Sequence, residues 1–183
     1  RILKRYVNNR SDGSDSYTLV MVDAPKWWRT WGMGKRAAKD GVDVFHGLSN
    51  ELPLDVPQNI KKIVTIHDVI FRQFPDYYPV LDRNIYHLKT KFALANADKV
   101  IATSNATASE IQKFYKVDSN KIEVVYQAVA TSFYENAAHF LNDEKYFIYT
   151  SSFTKRKNHL TLLQAFDLTK NQHQWNLKLV GLS

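Results

Sequence analysis

The chain reads as an α/β protein built on a parallel sheet, and three observations lead there. Short apolar runs rich in β-branched residues recur along it, they are continuous rather than alternating, and helical periodicities separate several of them. Continuous apolar runs suit strands covered on both faces, and strand–helix–strand order implies right-handed crossovers between parallel strands.

Taken in order, the predicted strands are residues 18–23 (TLVMVD), 42–46 (VDVFH), 62–67 (KIVTIH), 99–104 (KVIATS), 122–127 (IEVVYQ), 146–151 (YFIYTS) and 177–181 (LKLVG). Three helix stripes lie among them. Ile85, Leu88, Phe92 and Ala95 follow the 3, 4, 3 spacing of one helix face, Ala108, Ile111 and Tyr115 a second, and Leu160, Leu163 and Phe166 a third. Residues 131–144 (TSFYENAAHFLNDE) break the rhythm and are expected to link a larger first unit, residues 1–130, to a strand–helix–strand remnant, residues 145–183. At 39 residues the remnant falls below the ~50 of a typical domain and should be half of something larger. Because the chain opens on Arg1 and stops directly after an apolar run, it is expected to be part of a longer protein.

The composition is that of an ordinary globular chain, 44% hydrophobic with 10 Tyr, 10 Phe and 4 Trp to build a core. The absence of cysteine rules out disulfides, iron–sulfur clusters and thiolate zinc sites, and suits a reducing compartment. No run approaches the ~20 apolar residues of a membrane span, and the first residues lack an apolar signal core. A cytoplasmic protein is therefore expected, in peripheral contact at most with the inner face of the membrane. The net charge of +7 gathers at the two ends, with +5 in residues 1–40 and +4 in residues 151–183. The cations are not interleaved with aromatics as in a nucleic-acid module, so nucleic acid is not an expected partner.

In an open parallel sheet the ligand crevice lies at the carboxyl ends of the strands. Three runs end there on polar groups: His46, His67 followed by Asp68, and Ser104. If those strands are neighbours, two imidazoles and a hydroxyl meet at one rim. The plain alternative is that each is a satisfied residue closing a strand. A metal held by His46, His67 and Asp43 or Asp68 competes, but there is no HExxH, no histidine pair at i, i+4, and the carboxylates fall on other faces of a strand. No metal or other cofactor is expected.

A second signal lies in residues 149–166 (YTSSFTKRKNHLTLLQAF). A strand ends at Ser151 and Ser152, a polar loop carries Lys155, Arg156 and Lys157, and Asn158 can cap the helix that follows. Three cations before a helix N-terminus suit a phosphate, since unpaired N–H groups and the helix dipole add to the side-chain charge. The bland alternative is a solvated basic turn, and no GxxxxGK[ST] is present.

The motifs DVFHGLSNELP, VTIHDVIF, ADKVIATSNATASEIQKFY, KIEVVYQ, YTSSFTKRKNHLTLLQAF and NLKLVG, in that order, resemble a group 1 (family 4) retaining nucleotide-sugar glycosyltransferase of the GT-B fold. The likeness spans about residues 18–183. HGLSNELP, with a long aromatic loop at residues 72–86 (RQFPDYYPVLDRNIY), is similar to enzymes that build bacterial surface polysaccharide. The resemblance implies two Rossmann-type domains, an acceptor domain incomplete at its start and the opening of a donor domain. It implies as partners a nucleotide-sugar donor and a saccharide or lipid-linked acceptor, with no metal. Carried over by position, His67 resembles the histidine that contacts the transferred sugar at the cleft, and Lys157 the lysine that holds the donor diphosphate with an arginine. His46 and Ser104 match strand-end positions.

The chain departs from the family where Ser151, Ser152 and Phe153 stand in place of glycine and a frequent arginine, so that the arginine's work falls to Arg156. It departs again at Gln127–Ala128, where Asn-Gly or Gln-Gly is usual, losing a glycine's access to positive φ. Chemically the cations at 155–157 would meet the leaving diphosphate and His67 the oxocarbenium-like sugar, with Asp68 expected to orient its ring. Trp27, Trp28 and Trp31, beside Lys26, Arg29, Lys35 and Arg36, could meet an anionic membrane or simply pack under a loop. Two other classes stay open: a sugar- or nucleotide-binding fragment without turnover, and a histidine–metal hydrolase.

Overall fold

A computed structural model describes residues 26–135 and 145–181. The first strand expected from the sequence, residues 18–23, lies outside the described residues. The others form two sheets. In the first, β1 (Val44–Gly47), β2 (Lys61–Ile66), β3 (Lys99–Ala102) and β4 (Ile122–Val124) lie in sequential order, and every neighbouring pair is parallel. In the second, β5 (Tyr146–Thr150) pairs in parallel with β6 (Asn176–Val180).

The helices are α1 (Met33–Lys39), α2 (Ile70–Gln73), α3 (Val80–Asn96), α4 (Asn105–Tyr115), α5 (Thr131–Glu135) and α6 (His159–Thr169). Each parallel pair is thus joined by a crossover containing helix or turn. The expected linker opens as helix α5, and residues 136–144 lie outside the described residues.

The core sits around β2 and β3. Val64, Ile66, Val100 and Ala102 are fully buried, and Phe71, Ala93, Leu94, Ala97 and Ile111 close over them. A smaller cluster of Ala37, Val56 and Ile60 joins α1 to the sheet, with Phe45 touching both clusters. Asp55 fixes α1 in place by accepting the backbone N–H groups of Gly34 (3.1 Å) and Lys35 (3.2 Å), which satisfies donors at the helix start. A Cβ on Gly34 would collide with the backbone of Asp55 and Val56, so this approach requires glycine.

Three expectations are corrected. Residues 72–86 are not a loop: α2 ends within them, a 3-10 turn follows at Pro75–Tyr77, and α3 starts at Val80. On α3 the buried residues are Thr90, Ala93 and Leu94, whereas Ile85 and Leu88 are exposed and of the expected stripe only Phe92 packs toward the core. On the inner side Thr90 and Ala93 are small enough to let the helix approach the sheet closely, and Leu94 fills the core beside them. On α6 the covered side is His159, Leu162, Phe166 and Thr169, one position off the expected Leu160 and Leu163, both exposed. The stripe on α4 holds, with Ile111 buried and Ala108 and Tyr115 half-buried against the core.

Candidate active site

The carboxyl ends of β1 and β2 open into a cleft of about 530 Å³, lined by the loop at Ser49–Glu51, by His67 and Asp68, by Phe71 and Tyr78, and by Tyr86, Lys89 and Thr90 of α3. His67 follows β2 directly and is held by three segments. Its N–H donates to Asn50 Oδ1 (2.9 Å), and its carbonyl accepts the hydroxyls of Thr103 (2.9 Å) and Thr107 (3.1 Å). On the ring, Nε2 lies 2.8 Å from the Leu48 carbonyl and Nδ1 lies 3.4 Å from the Gln127 amide nitrogen. A carbonyl can only accept, so Nε2 carries the proton and Nδ1 is the acceptor. The Nδ1 contact is the longer and weaker one, and it is the edge at which a ligand hydroxyl can take the amide's place.

Asn50 is the clamp of the cleft. Its backbone is left-handed (φ 56°), its own N–H donates to the Thr65 carbonyl (3.0 Å), and its Nδ2 donates to the Asp68 carbonyl (2.8 Å). One side chain therefore fixes the backbone on both sides of the His67–Asp68 peptide. Asn tolerates positive φ better than most residues, which is the local reason for its place here.

Asp68 does not orient the imidazole, contrary to expectation. Its Oδ1 accepts the N–H of Ile70 (3.2 Å) and turns the chain into α2. Its charge still acts on the cleft. The Tyr78 phenol is pushed above its ordinary value, chiefly by burial, with Arg156 pulling it down and Asp68 and Tyr86 pushing it up. The Glu110 carboxyl is raised by burial first and by Asp68 next. On the other wall, Glu51 receives Arg29 (2.5 Å) and Lys89 (2.9 Å), so two cations share one carboxylate.

The expected meeting of His46, His67 and Ser104 does not occur. Strand alternation puts His46 on the same side of the sheet as Thr65 and His67, but His46 is level with Ile63, four residues short of His67, or roughly 13 Å along the strand. Its Nε2 bonds the Thr65 hydroxyl (2.8 Å), and it lines a separate hollow with Trp28, Met33 and Ala37. Ser104 caps α4: its Oγ accepts the Thr107 N–H (3.1 Å) and contacts the Thr107 hydroxyl (3.0 Å). Ser104 thus serves the cleft one step removed, by placing the threonine that holds the His67 carbonyl.

The basic loop has its own geometry. Lys155–Lys157 form a 3-10 turn that leads into α6, and the Tyr149 hydroxyl pins the turn by donating to the Lys157 carbonyl (2.8 Å). Asn158 precedes the helix as expected, yet it is left-handed (φ 51°) and makes no side-chain bond to the helix start; its Oδ1 accepts the Thr161 hydroxyl (2.9 Å) instead. Ser151 Oγ lies 3.0 Å from His159 Nε2, and the His159 ring stacks on Phe153, 4.7 Å between centroids. Ser152 is exposed, and its carbonyl accepts the Thr154 N–H (2.9 Å). The aromatic–histidine packing stands where glycine was expected to free the backbone. The charge of Arg156 draws the Tyr78 phenol down, against the larger upward effect of burial.

The cleft's strand-end histidine and the four-stranded sheet both lie within the part of the chain that one comparison covers. Residues 10–133 match the family model described as Glycosyltransferase Family 4. The chain belongs to that family. The four-stranded parallel sheet of this family 4 chain is the Rossmann-like layout expected of a GT-B fragment. The comparison with curated proteins gave no match. Among the described residues of this glycosyltransferase-family domain, no three His, Asp or Glu side chains gather as metal ligands. Sequence reasoning missed Asn50, Glu51, Tyr78 and Lys89 as cleft residues and treated Gln127 only as a departure.

Proposed function

We propose that the protein transfers a sugar from a nucleotide-sugar donor to a saccharide or lipid-linked acceptor with retention of anomeric configuration and without a metal, in the building of a bacterial surface polysaccharide or lipopolysaccharide. The protein works in the cytoplasm, in peripheral contact with the anionic inner face of the membrane. The observation that carries this reading is the ring of His67, fixed by hydrogen bonds at the mouth of a cleft that also holds acidic, basic and aromatic groups suited to sugar hydroxyls and rings.

In this reading the acceptor lies in the cleft against Tyr78 and Tyr86 with Glu51 taking hydroxyls. Lys157 and Arg156, with the N-terminus of α6 behind Asn158, neutralise the departing diphosphate, while His67 orients the transferred sugar by accepting a hydroxyl at Nδ1. Ser151 and Ser152 shape the loop rather than bind through a glycine backbone. Residues 1–130 form the acceptor side, 131–144 the link and 145–183 the opening of the donor side.

The test is donor-dependent release of nucleoside diphosphate by the full-length protein, with EDTA present and absent. His67→Ala should lower kcat by ~10²-fold or more, at least about 2.7 kcal/mol of transition-state stabilisation, with His46→Ala milder. Lys157→Ala should weaken donor binding by about 1–3 kcal/mol. Turnover near wild type in His67→Ala discards the site. Equal donor affinity in Lys157→Ala reduces the basic run to a solvated turn, and activity lost in EDTA and restored by zinc or manganese replaces this reading with metal chemistry.

A further inference from the structure

The wall of the cleft beside Asn50 carries one cation more than its acid needs. Glu51 gives each carboxylate oxygen its own partner: Oε1 meets Arg29 (2.5 Å) and Oε2 meets Lys89 (2.9 Å). The three residues come from the turn before α1, the loop after β1 and helix α3. The Leu54 N–H donates to the Thr30 carbonyl (2.9 Å), which ties the first segment to the second, so Arg29 is placed by backbone as well as by charge. A structural ion pair is complete with one cation. Here two cations share one acid and leave a net single positive charge, and both stay in water: the Arg29 side chain is 71% exposed and the Lys89 side chain 50%, against 22% for Glu51.

That excess charge faces the cleft, since Arg29, Glu51 and Lys89 all line it. A guanidinium and an ammonium each carry several N–H donors, so their contacts with Glu51 leave others directed to solvent. The cleft is polarised, because His67 and Asp68 line it elsewhere and the Asp68 charge adds to burial in raising the Glu110 carboxyl. An anion is repelled at Asp68 and attracted at Arg29 and Lys89. Glu51 itself shows what the two cations grip, a carboxylate with one oxygen to each. A second carboxylate, brought by a ligand, balances the charge of the wall, whereas a phosphate monoester carries roughly −1.5 to −2 at pH 7 and overshoots it.

We propose that Arg29 and Lys89 form a carboxylate subsite, so that the acceptor is an acidic sugar of the uronate class, its carboxylate on this wall and its attacking hydroxyl toward His67. The inference deepens the reading of the cleft as an acceptor site, on which it rests.

The experiment titrates the full-length protein with D-glucuronate and D-galacturonate, beside glucose, galactose and glucose 6-phosphate, by ligand-observed NMR, and measures donor-dependent release of nucleoside diphosphate alongside. The uronates should bind more tightly than the neutral sugars and lose that margin as salt is raised. Arg29→Gln and Lys89→Gln should each weaken uronate binding by about two- to fivefold, the worth of an exposed charge pair, and leave the neutral sugars unchanged. Glu51→Gln separates a ligand subsite from a structural pair. It removes the competing carboxylate and keeps the shape of the side chain, so uronate should bind about two- to fivefold tighter, whereas a structural pair predicts a loss. Uronates bound no better than neutral sugars, uronate binding equal in Lys89→Gln and wild type, or weaker uronate binding in Glu51→Gln overturns the proposal. So does tighter binding of glucose 6-phosphate that Lys89→Gln removes, since the wall would then select phosphate. Uronate binding that follows these variants in a protein releasing no nucleoside diphosphate with any acceptor keeps the carboxylate subsite and discards the transferase reading.

Discussion

Replacing Asn50 tests the clamp on which the cleft depends. Asn50→Ala removes two side-chain hydrogen bonds, from the His67 N–H and to the Asp68 carbonyl, at about 1 kcal/mol each. It also leaves a plain Cβ residue at φ 56°, without the local polar side chain that makes this region acceptable, for roughly another 1 kcal/mol. The expected loss is about 3 kcal/mol. Asn50→Gly removes the same two bonds but relieves the left-handed backbone, an effect of about 0.5–1 kcal/mol that offsets glycine's extra freedom in the unfolded chain, so a loss of about 2 kcal/mol is expected. Glycine should therefore be the milder substitution, the reverse of the usual order. Urea unfolding followed by circular dichroism measures both, and an unchanged m-value shows that the unfolded state is comparable. Alanine equal to or better than glycine would refute the left-handed assignment; both within about 0.5 kcal/mol of wild type would refute the clamp. In activity assays Asn50→Gly should lose more kcat than its stability explains, because the His67–Asp68 peptide is free to turn.

Two further predictions concern titration. Gln127→Glu places a carboxylate at Nδ1 of His67, which favours the doubly protonated ring, so the acid limb of the pH–rate profile should move upward while Gln127→Asn moves it little; identical profiles would deny the contact. His87 is held below its ordinary value by burial, then by Arg72 and Lys91, while its ring stacks on Tyr115, whose phenol burial pushes up to about 12. Since the unfolded chain binds the His87 proton more readily, the contribution of the neutral ring is fully present above the unfolded value near 6.5 and is lost below it as pH falls through the lowered folded value. His87→Gln should flatten the decline in urea stability between pH 7 and pH 5, and an unaltered slope would show that other groups set it.

The strands were legible because burial on both faces leaves a continuous apolar run, as in residues 62–67, which needs no knowledge of neighbours. The helix stripes were less so. On α3 the periodicity of Ile85 and Leu88 is real but marks the outward side, because the side packed on the sheet is that of Thr90, Ala93 and Leu94, of which Thr90 carries no hydrophobic signal. His67 could be found as a strand-end histidine, whereas the groups that hold it could not. Asn50 precedes it by 17 residues, Thr103 and Thr107 follow by 36 and 40, and Gln127 by 60. Asn50 arrives on the β1–β2 connection, Thr103 and Thr107 on the β3–β4 connection and Gln127 just past β4, and each is an ordinary polar residue in its own segment. What converts them into one site is the sequential strand order, which stacks the carboxyl ends of β1 to β4 at one edge. The motif therefore locates the ring, while the topology fixes its tautomer and its exposed edge, and a substitution at Gln127 or Asn50 acts on His67 across a distance that no local pattern encodes.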